Sequence, residues 1–413
     1  MVHFTRRTLS NGLRVLVHED HSTPLVAVNV SYFVGSRDEQ PEKTGFAHLF
    51  EHLMFAGSKN APDFDDPLQR AGGENNAYTT NDYTTFYEIL PAENIETALW
   101  LESDRMLALN INKKSLDVQR KVVVEEFKET CLNEPYGDSW HHLSELMYQQ
   151  HPYRWPVIGL VPEHVENATL DDVRSFYKTW YTPSNAVLSI AGKINADEAH
   201  ALAEKWFGNI PAAQMPVRQL IEEPPQPAPT HKTVTANVPV PAIFLAFRTP
   251  ARLAAGFYPV DLLSDVLAMG PSSRLYRRLL KERQLFSQID AYITANLDPG
   301  LLVVEGRPAE GVSVETALAA IWAELEALKN ERIETRELKK IQHRFESTLV
   351  FSEISVLNKA QNLAYYELFA RAELMNEETA TYLAVTPADL QRSAQSLFQA
   401  DNSATLVYVP AQT

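Results

Sequence analysis

The sequence lacks what would place it in several large classes of protein. It has one cysteine, Cys131, in 413 residues, so it holds no intramolecular disulfide framework and no cysteine-based metal cluster. No apolar run approaches the ~18 residues that a membrane span needs. The opening Met1-Val2-His3-Phe4-Thr5-Arg6-Arg7 carries no apolar signal core. Cations are also scarce, 37 Lys and Arg against 53 Asp and Glu. The formal charge of -16 argues against nucleic acid or an anionic membrane surface as main partner, because both need clustered Lys and Arg. The expectation is a soluble protein, cytoplasmic on the sequence as it stands and periplasmic if a leader has been removed.

What is present is material for large cores. With 45% hydrophobic and 22% charged residues, the chain exceeds one typical compact unit, which predicts two domains of roughly 200 residues each. Proline marks the boundary: Pro211, Pro216, Pro224, Pro225, Pro227 and Pro229 fall in one short stretch, the composition of a stiff linker. The expected division is 1–212, a linker at 213–232, and 233–413.

Periodicity supplies the elements. Thr8 to Val17 reads as two strands about an Asn11-Gly12 turn, and Leu25 to Phe33 alternates as a third strand. Glu74 to Tyr87, rich in threonine and aromatics, reads as a hairpin whose first half is a sheet edge. Helical patterns run over Ile95–Asn110 and Ser115 to about Gln149, with Val122, Val123 and Phe127 as an apolar stripe. A buried strand at Ala186–Gly192 and a helix at Ala196–Phe207 close the first half. The order then repeats loosely, ending in long helices at Val314–Lys329 and Thr335–Leu368 and a strand at Ala404–Val409. The fold class this implies is α+β: two homologous domains from an internal duplication, each a mainly antiparallel sheet backed by helices.

The chemistry concentrates in Gly45-Phe46-Ala47-His48-Leu49-Phe50-Glu51-His52-Leu53. His48 and His52 are four apart, so on a helix their rings stand one turn above each other and can converge on one ion. Two imidazoles with a carboxylate suit zinc, and a catalytic site takes three protein ligands and leaves a position for water. Glu51, inside the motif, is free to act as base. The third ligand must come from elsewhere, and Glu125, Glu126 and Glu129 on the predicted second long helix are the candidates. His141, His142, His151 and His164 have no paired ligand at useful spacing and read as surface or hydrogen-bonded residues.

The His48-x-x-Glu51-His52 motif, the segment Gly72-Gly73-Glu74-Asn75-Asn76-Ala77-Tyr78-Thr79 and the loop Gly270-Pro271-Ser272-Ser273-Arg274-Leu275-Tyr276 together resemble the inverzincin metallopeptidases, the group of pitrilysin, insulysin and the mitochondrial processing peptidase. The resemblance covers nearly the whole chain. It implies a zinc endopeptidase that hydrolyses peptides or unfolded segments inside a closed chamber, with one zinc ion and Glu51 as general base. In that family the distal ligand lies in a helical segment resembling E-R-x-x-V-x-x-E, here Gln119-Arg120-Lys121-Val122-Val123-Val124-Glu125-Glu126. The match selects Glu126 and places Gln119 as its supporting neighbour, with an amide where the family usually has a carboxylate. Asn75 and Ala77 are implied to bind the substrate backbone as an added strand.

One part of the family pattern is missing. Active relatives carry an arginine and a tyrosine seven residues apart in the second domain, in a segment resembling L-R-E-x-x-G-L-x-Y. The matching segment here, Leu279 to Ser287, has Leu280 and Ser287 at those positions, and neither Arg283 nor Tyr292 keeps the spacing. The resemblance is therefore to the zinc-binding subunit of a bacterial-type two-subunit member. It implies a homologous partner that supplies the arginine and tyrosine, in a heterodimer or larger assembly. The alternative is a non-catalytic core or scaffold subunit of the same fold.

Overall fold

The computed structural model describes residues 1–218 and 221–411; positions 219 and 220, within the proline-rich stretch, and 412 and 413, at the end of the expected second domain, lie outside the described residues. The strands are β1 (Thr5–Thr8), β2 (Arg14–Glu19), β3 (Leu25–Tyr32), β4 (Glu74–Thr79), β5 (Thr84–Pro91), β6 (Ala186–Gly192), β7 (Thr230–Ala236), β8 (Ala242–Arg248), β9 (Phe286–Ile293), β10 (Leu301–Pro308) and β11 (Ser403–Pro410). They form a six-stranded sheet in the order β1-β2-β6-β3-β5-β4 and a five-stranded sheet in the order β7-β11-β8-β10-β9.

Without β1 the two sheets have one topology. Counted along the chain, each runs first, fifth, second, fourth, third. In each, the first and fifth strands are parallel and the other neighbours antiparallel. A shared order with one parallel pair at the same place is the mark of an internal duplication, and the fold is α+β with mainly antiparallel sheets.

The residues group into two compact units, but not as two blocks of chain. The first holds Met1–Lys128, Trp155–Leu220 and Leu349–Glu378; the second holds Glu129–Arg154, Ile221–Thr348 and Thr379–Thr413. In the first unit one sheet face carries Val15, Val17, Val26, Val28, Val30, Leu188 and Ile190 into the main core. The opposite face meets the helix Val356–Phe369: Ala27 and Ala191 lie against Val356 and Ala360, and Leu16 and Val187 against Leu363 and Ala364. The alanines let this helix come close to the strands. In the second unit Ile243, Leu245, Phe247, Leu302 and Val304 face the larger core, while Phe244, Ala246, Val303 and Leu406 meet Leu143 and Met147 of the helix Ser139–Met147. Each half of the sequence thus lends a helix to the other half's sheet. With both faces covered, strands such as Ala186-Val187-Leu188-Ser189-Ile190-Ala191 need apolar residues at nearly every position.

That exchange breaks two helices expected to be continuous. The pattern over Ser115 to Gln149 is a helix Lys113–Phe127, a wider-pitch turn Lys128–Asn133, and a separate helix Ser139–Met147. Pro135 cannot donate a backbone bond and disfavours helix at Glu134, and Tyr136 follows at φ 65. Val122 is exposed, and Leu116, Val123, Val124 and Phe127 are the buried stripe. Likewise Thr335 to Leu368 is two helices, Thr335–Ser352 and Val356–Phe369, the second capped by the Ser355 side chain accepting from the Asn358 N–H. Strand β7 and the helices Leu374–Ala384 and Pro387–Leu397 are further elements that the periodicity did not mark. Among the described residues no helix is long and apolar enough to cross a membrane.

Candidate metal centre

The motif helix, Phe46–Leu53, belongs to the first unit and buries Phe46, Ala47, Leu49, Phe50 and Leu53. Phe50 stacks on Phe176 and Tyr181 with ring centroids 5.2 and 5.0 Å away. At roughly 1.5–3 kcal/mol for each large apolar side chain, this face fixes the helix's rotation. Gly45 starts the helix at φ 84, a conformation costly for other residues, and a Cβ there would lie 2.8 Å from the Ile158 carbonyl oxygen. The buried Glu39 carboxylate accepts from the N–H groups of Gly45 and Ala47 at 2.9 and 2.8 Å, satisfying donors that a helix start leaves open. Burial pushes the Glu39 carboxyl well above its ordinary range, against the pull of those N–H groups. His164 reaches the same corner, 2.8 Å from the Thr44 hydroxyl.

With the apolar face inward, His48 and His52 project from the other side. The helix Lys113–Phe127, capped by Asn112, brings Glu126 to them. Its Oε1 is 3.7 Å from His48 Nε2 and its Oε2 is 3.3 Å from His52 Nε2, while the two Nε2 atoms are 3.4 Å apart. Bond lengths of ~2.0–2.2 Å around a tetrahedral zinc place neighbouring ligand atoms ~3.3–3.6 Å apart. The three groups therefore fit zinc in spacing and in chemistry. They form the one group of three or more metal-capable side chains among the described residues. Burial lowers the His48 pKa, with Glu126 opposing, a shift in the direction of the neutral imidazole that ligates a metal. The Glu126 carboxyl is lowered first by its hydrogen bond with His52.

The other two glutamates lie outside this group. Glu125 is exposed and pairs with Lys128 at 2.7 Å, and Glu129 is exposed in the wider turn. Gln119 is half-buried on the same helix as Glu126.

Glu51 is half-buried beside the histidines, and its Oε2 accepts a 2.7 Å hydrogen bond from Thr79 Oγ1. Thr79 ends β4, an edge strand of its sheet. Asn75, Ala77 and Thr79 are the half-buried positions of that strand, alternating with exposed Glu74, Asn76 and Tyr78. The Ala77 N–H is taken by Asn76 Oδ1 at 2.8 Å, and Asn75 donates from Nδ2 to Asp65 at 2.8 Å. The sequence reading did not single out Glu39, Thr79 or Asn76. Only the Asx-before-Ala pairing and the threonine at the strand end hinted at them, and neither is specific.

Residues 14–159 match the family described as "Insulinase (Peptidase family M16)", and residues 167–345 match "Peptidase M16 inactive domain". A Helicobacter pylori protein named zinc protease PqqE is 30% identical over 98% of this chain and 92% of its own length. The chain belongs to the M16 peptidase family. Another relative, named uncharacterized zinc protease YmxG, of Bacillus subtilis, is 27% identical over 97% of both chains. The crystal structure of a protease from Helicobacter pylori superposes with a TM-score of 0.94 at 28% identity, over 99% of this chain and all of the other. Two M16 matches in succession are consistent with the repeated sheet topology.

Proposed function

We propose that this M16 chain is a zinc-dependent endopeptidase acting on peptides or unfolded segments. The observation that carries the reading is the convergence of His48, His52 and Glu126 beside a carboxylate, Glu51, at the end of a free sheet edge. His48, His52 and Glu126 would hold one zinc ion, and Gln119 would support Glu126 from the same helix. When bound, zinc lowers the pKa of its water towards about 7 and polarises the scissile carbonyl. Glu51 takes the proton from the attacking water and passes it to the leaving amine. Asn75 and Ala77 align the substrate backbone along β4, where an incoming carbonyl replaces the Asn76 amide oxygen on the Ala77 N–H.

The chain has the metal half of the site without the arginine and tyrosine of the second domain. Leu280 packs on the second unit's core, and the Ser287 hydroxyl bonds the Arg307 carbonyl at 3.2 Å. Loss of such groups costs several kcal/mol of transition-state stabilisation, by analogy with oxyanion-hole donors. A homologous chain without the zinc motif would supply them, making the enzyme a heterodimer or larger assembly. The test is cleavage of quenched-fluorescence peptides by the purified chain, alone and with such a partner, before and after chelation. The expected result is weak activity alone, strong activity with the partner, and loss of both on removing zinc. Full activity alone would remove the partner; zinc binding without cleavage in either preparation would favour the scaffold role.

Ala77→Pro tests the substrate strand. Proline removes the N–H and obstructs pairing at this edge. Peptide cleavage should fall at least tenfold, with zinc content unchanged and KM raised. Unaltered kinetics on extended peptides would rule out the edge as the substrate site.

A further inference from the structure

We infer that Thr79 is a positioning residue for the base, linking the edge strand to Glu51. The inference rests on the peptidase reading and adds to it a role for Thr79, which stands at the end of the Gly72–Thr79 segment with no function assigned to its side chain. A glutamate side chain has three rotatable bonds, so a base beside a metal must be held for one oxygen to face the reacting water. Thr79 is the one hydrogen-bond donor to Glu51 seen among the described residues, and its 2.7 Å bond to Oε2 leaves Oε1 for the proton transfer. A hydroxyl has a single proton to give, and the surroundings decide where it goes. Thr84, opposite Thr79 in the β4–β5 register, donates to the Val34 carbonyl at 2.9 Å and lies 3.5 Å from Thr79 Oγ1. At 2.7 Å to Glu51 Oε2 against 3.5 Å to Thr84 Oγ1, the Thr79 proton goes to the carboxylate.

Position gives this bond its purpose. Thr79 shares its strand face with Asn75 and Ala77, so the strand that aligns the substrate ends in the side chain that holds the base. Pairing of a peptide along β4 stiffens the strand and with it the Thr79 hydroxyl, so the base is best placed when the substrate is in register. Because Thr79 acts through Glu51, its loss should lower kcat more than it raises KM.

The experiment compares Thr79→Val, which keeps the shape and removes the hydroxyl, with Thr79→Ser, which restores it. Both are assayed in whichever preparation of the wild type cleaves peptide, single chain or two-chain. Thr79→Val should retain one zinc per chain and a KM within about twofold, while kcat falls about 10- to 100-fold, the span of a hydrogen bond to a charged group. Thr79→Ser should recover most of kcat. A valine variant with unchanged kcat, or one whose loss lies wholly in KM, overturns the inference and leaves the peptidase reading standing. A crystal structure of the zinc-loaded chain gives an arm independent of activity. Glu51 should hold one rotamer bonded to Thr79 Oγ1 in the wild type and several in the valine variant. A wild-type Glu51 directed away from Thr79 sinks the inference even if no peptide is cleaved, whereas failure to cleave with that bond intact counts against the peptidase reading alone.

Discussion

Glu51→Gln is expected to keep the full zinc content of the wild type and to lose peptide hydrolysis by about 10²–10⁴-fold, the contribution typical of a general acid–base group. The change is nearly isosteric and leaves His48, His52 and Glu126 untouched as the metal-holding set. The amide retains a carbonyl oxygen that can accept from Thr79 Oγ1, so the local packing has no reason to collapse. What disappears is basicity: the amide cannot take a proton from the attacking water. Metal analysis and a peptide assay on the same purified sample decide the matter. Loss of zinc together with activity would make Glu51 a ligand or a structural residue.

Glu126→Gln should have the opposite signature, with zinc lost first and activity following from it. Of the three groups only the carboxylate can bring a negative charge to the ion. Replacing it by a neutral amide removes the charge and the better oxygen donor together. Since even outer partners of ligands are worth 10–100-fold in metal affinity, loss of the ligand itself should weaken zinc binding by at least about 100-fold in a chelator competition. The carboxylate is 38% exposed and the imidazoles of His48 and His52 are 12% and 26% exposed, so the variant should still fold. Unchanged zinc affinity would move the third ligand to Glu125 or Glu129, both of which lie outside the converging group.

The parts of the site that lie within one element were legible in the sequence. Four-residue spacing puts His48 and His52 on one helix side whatever surrounds them, and threonine-rich alternation after Gly73 marks β4 and its exposed side. Strands such as β6 and the helix Ala196–Phe207 have the bounds the pattern assigns. Choosing among three glutamates was beyond local periodicity, because 125, 126 and 129 are all plausible outward positions on a helix whose azimuth is set by its neighbours. The family resemblance selected Glu126, and packing of Leu116, Val123, Val124 and Phe127 is what turns that side chain toward the histidines.

By itself, then, the sequence determined the class of fold, the two imidazoles with a carboxylate between them, and the edge strand that follows. These depend on repeats of 2 and 3.6 residues and on short motifs, which are properties of neighbouring positions. The tertiary structure alone decided that Glu39 folds back from the preceding loop to cap the motif helix, that Thr79 meets Glu51, and that residues 139–147 and 356–369 each cover the sheet of the other half. A buried stripe states that a face will be covered and is silent about what covers it. That choice belongs to contacts between residues hundreds of positions apart, where shape and burial act and sequence spacing carries no signal.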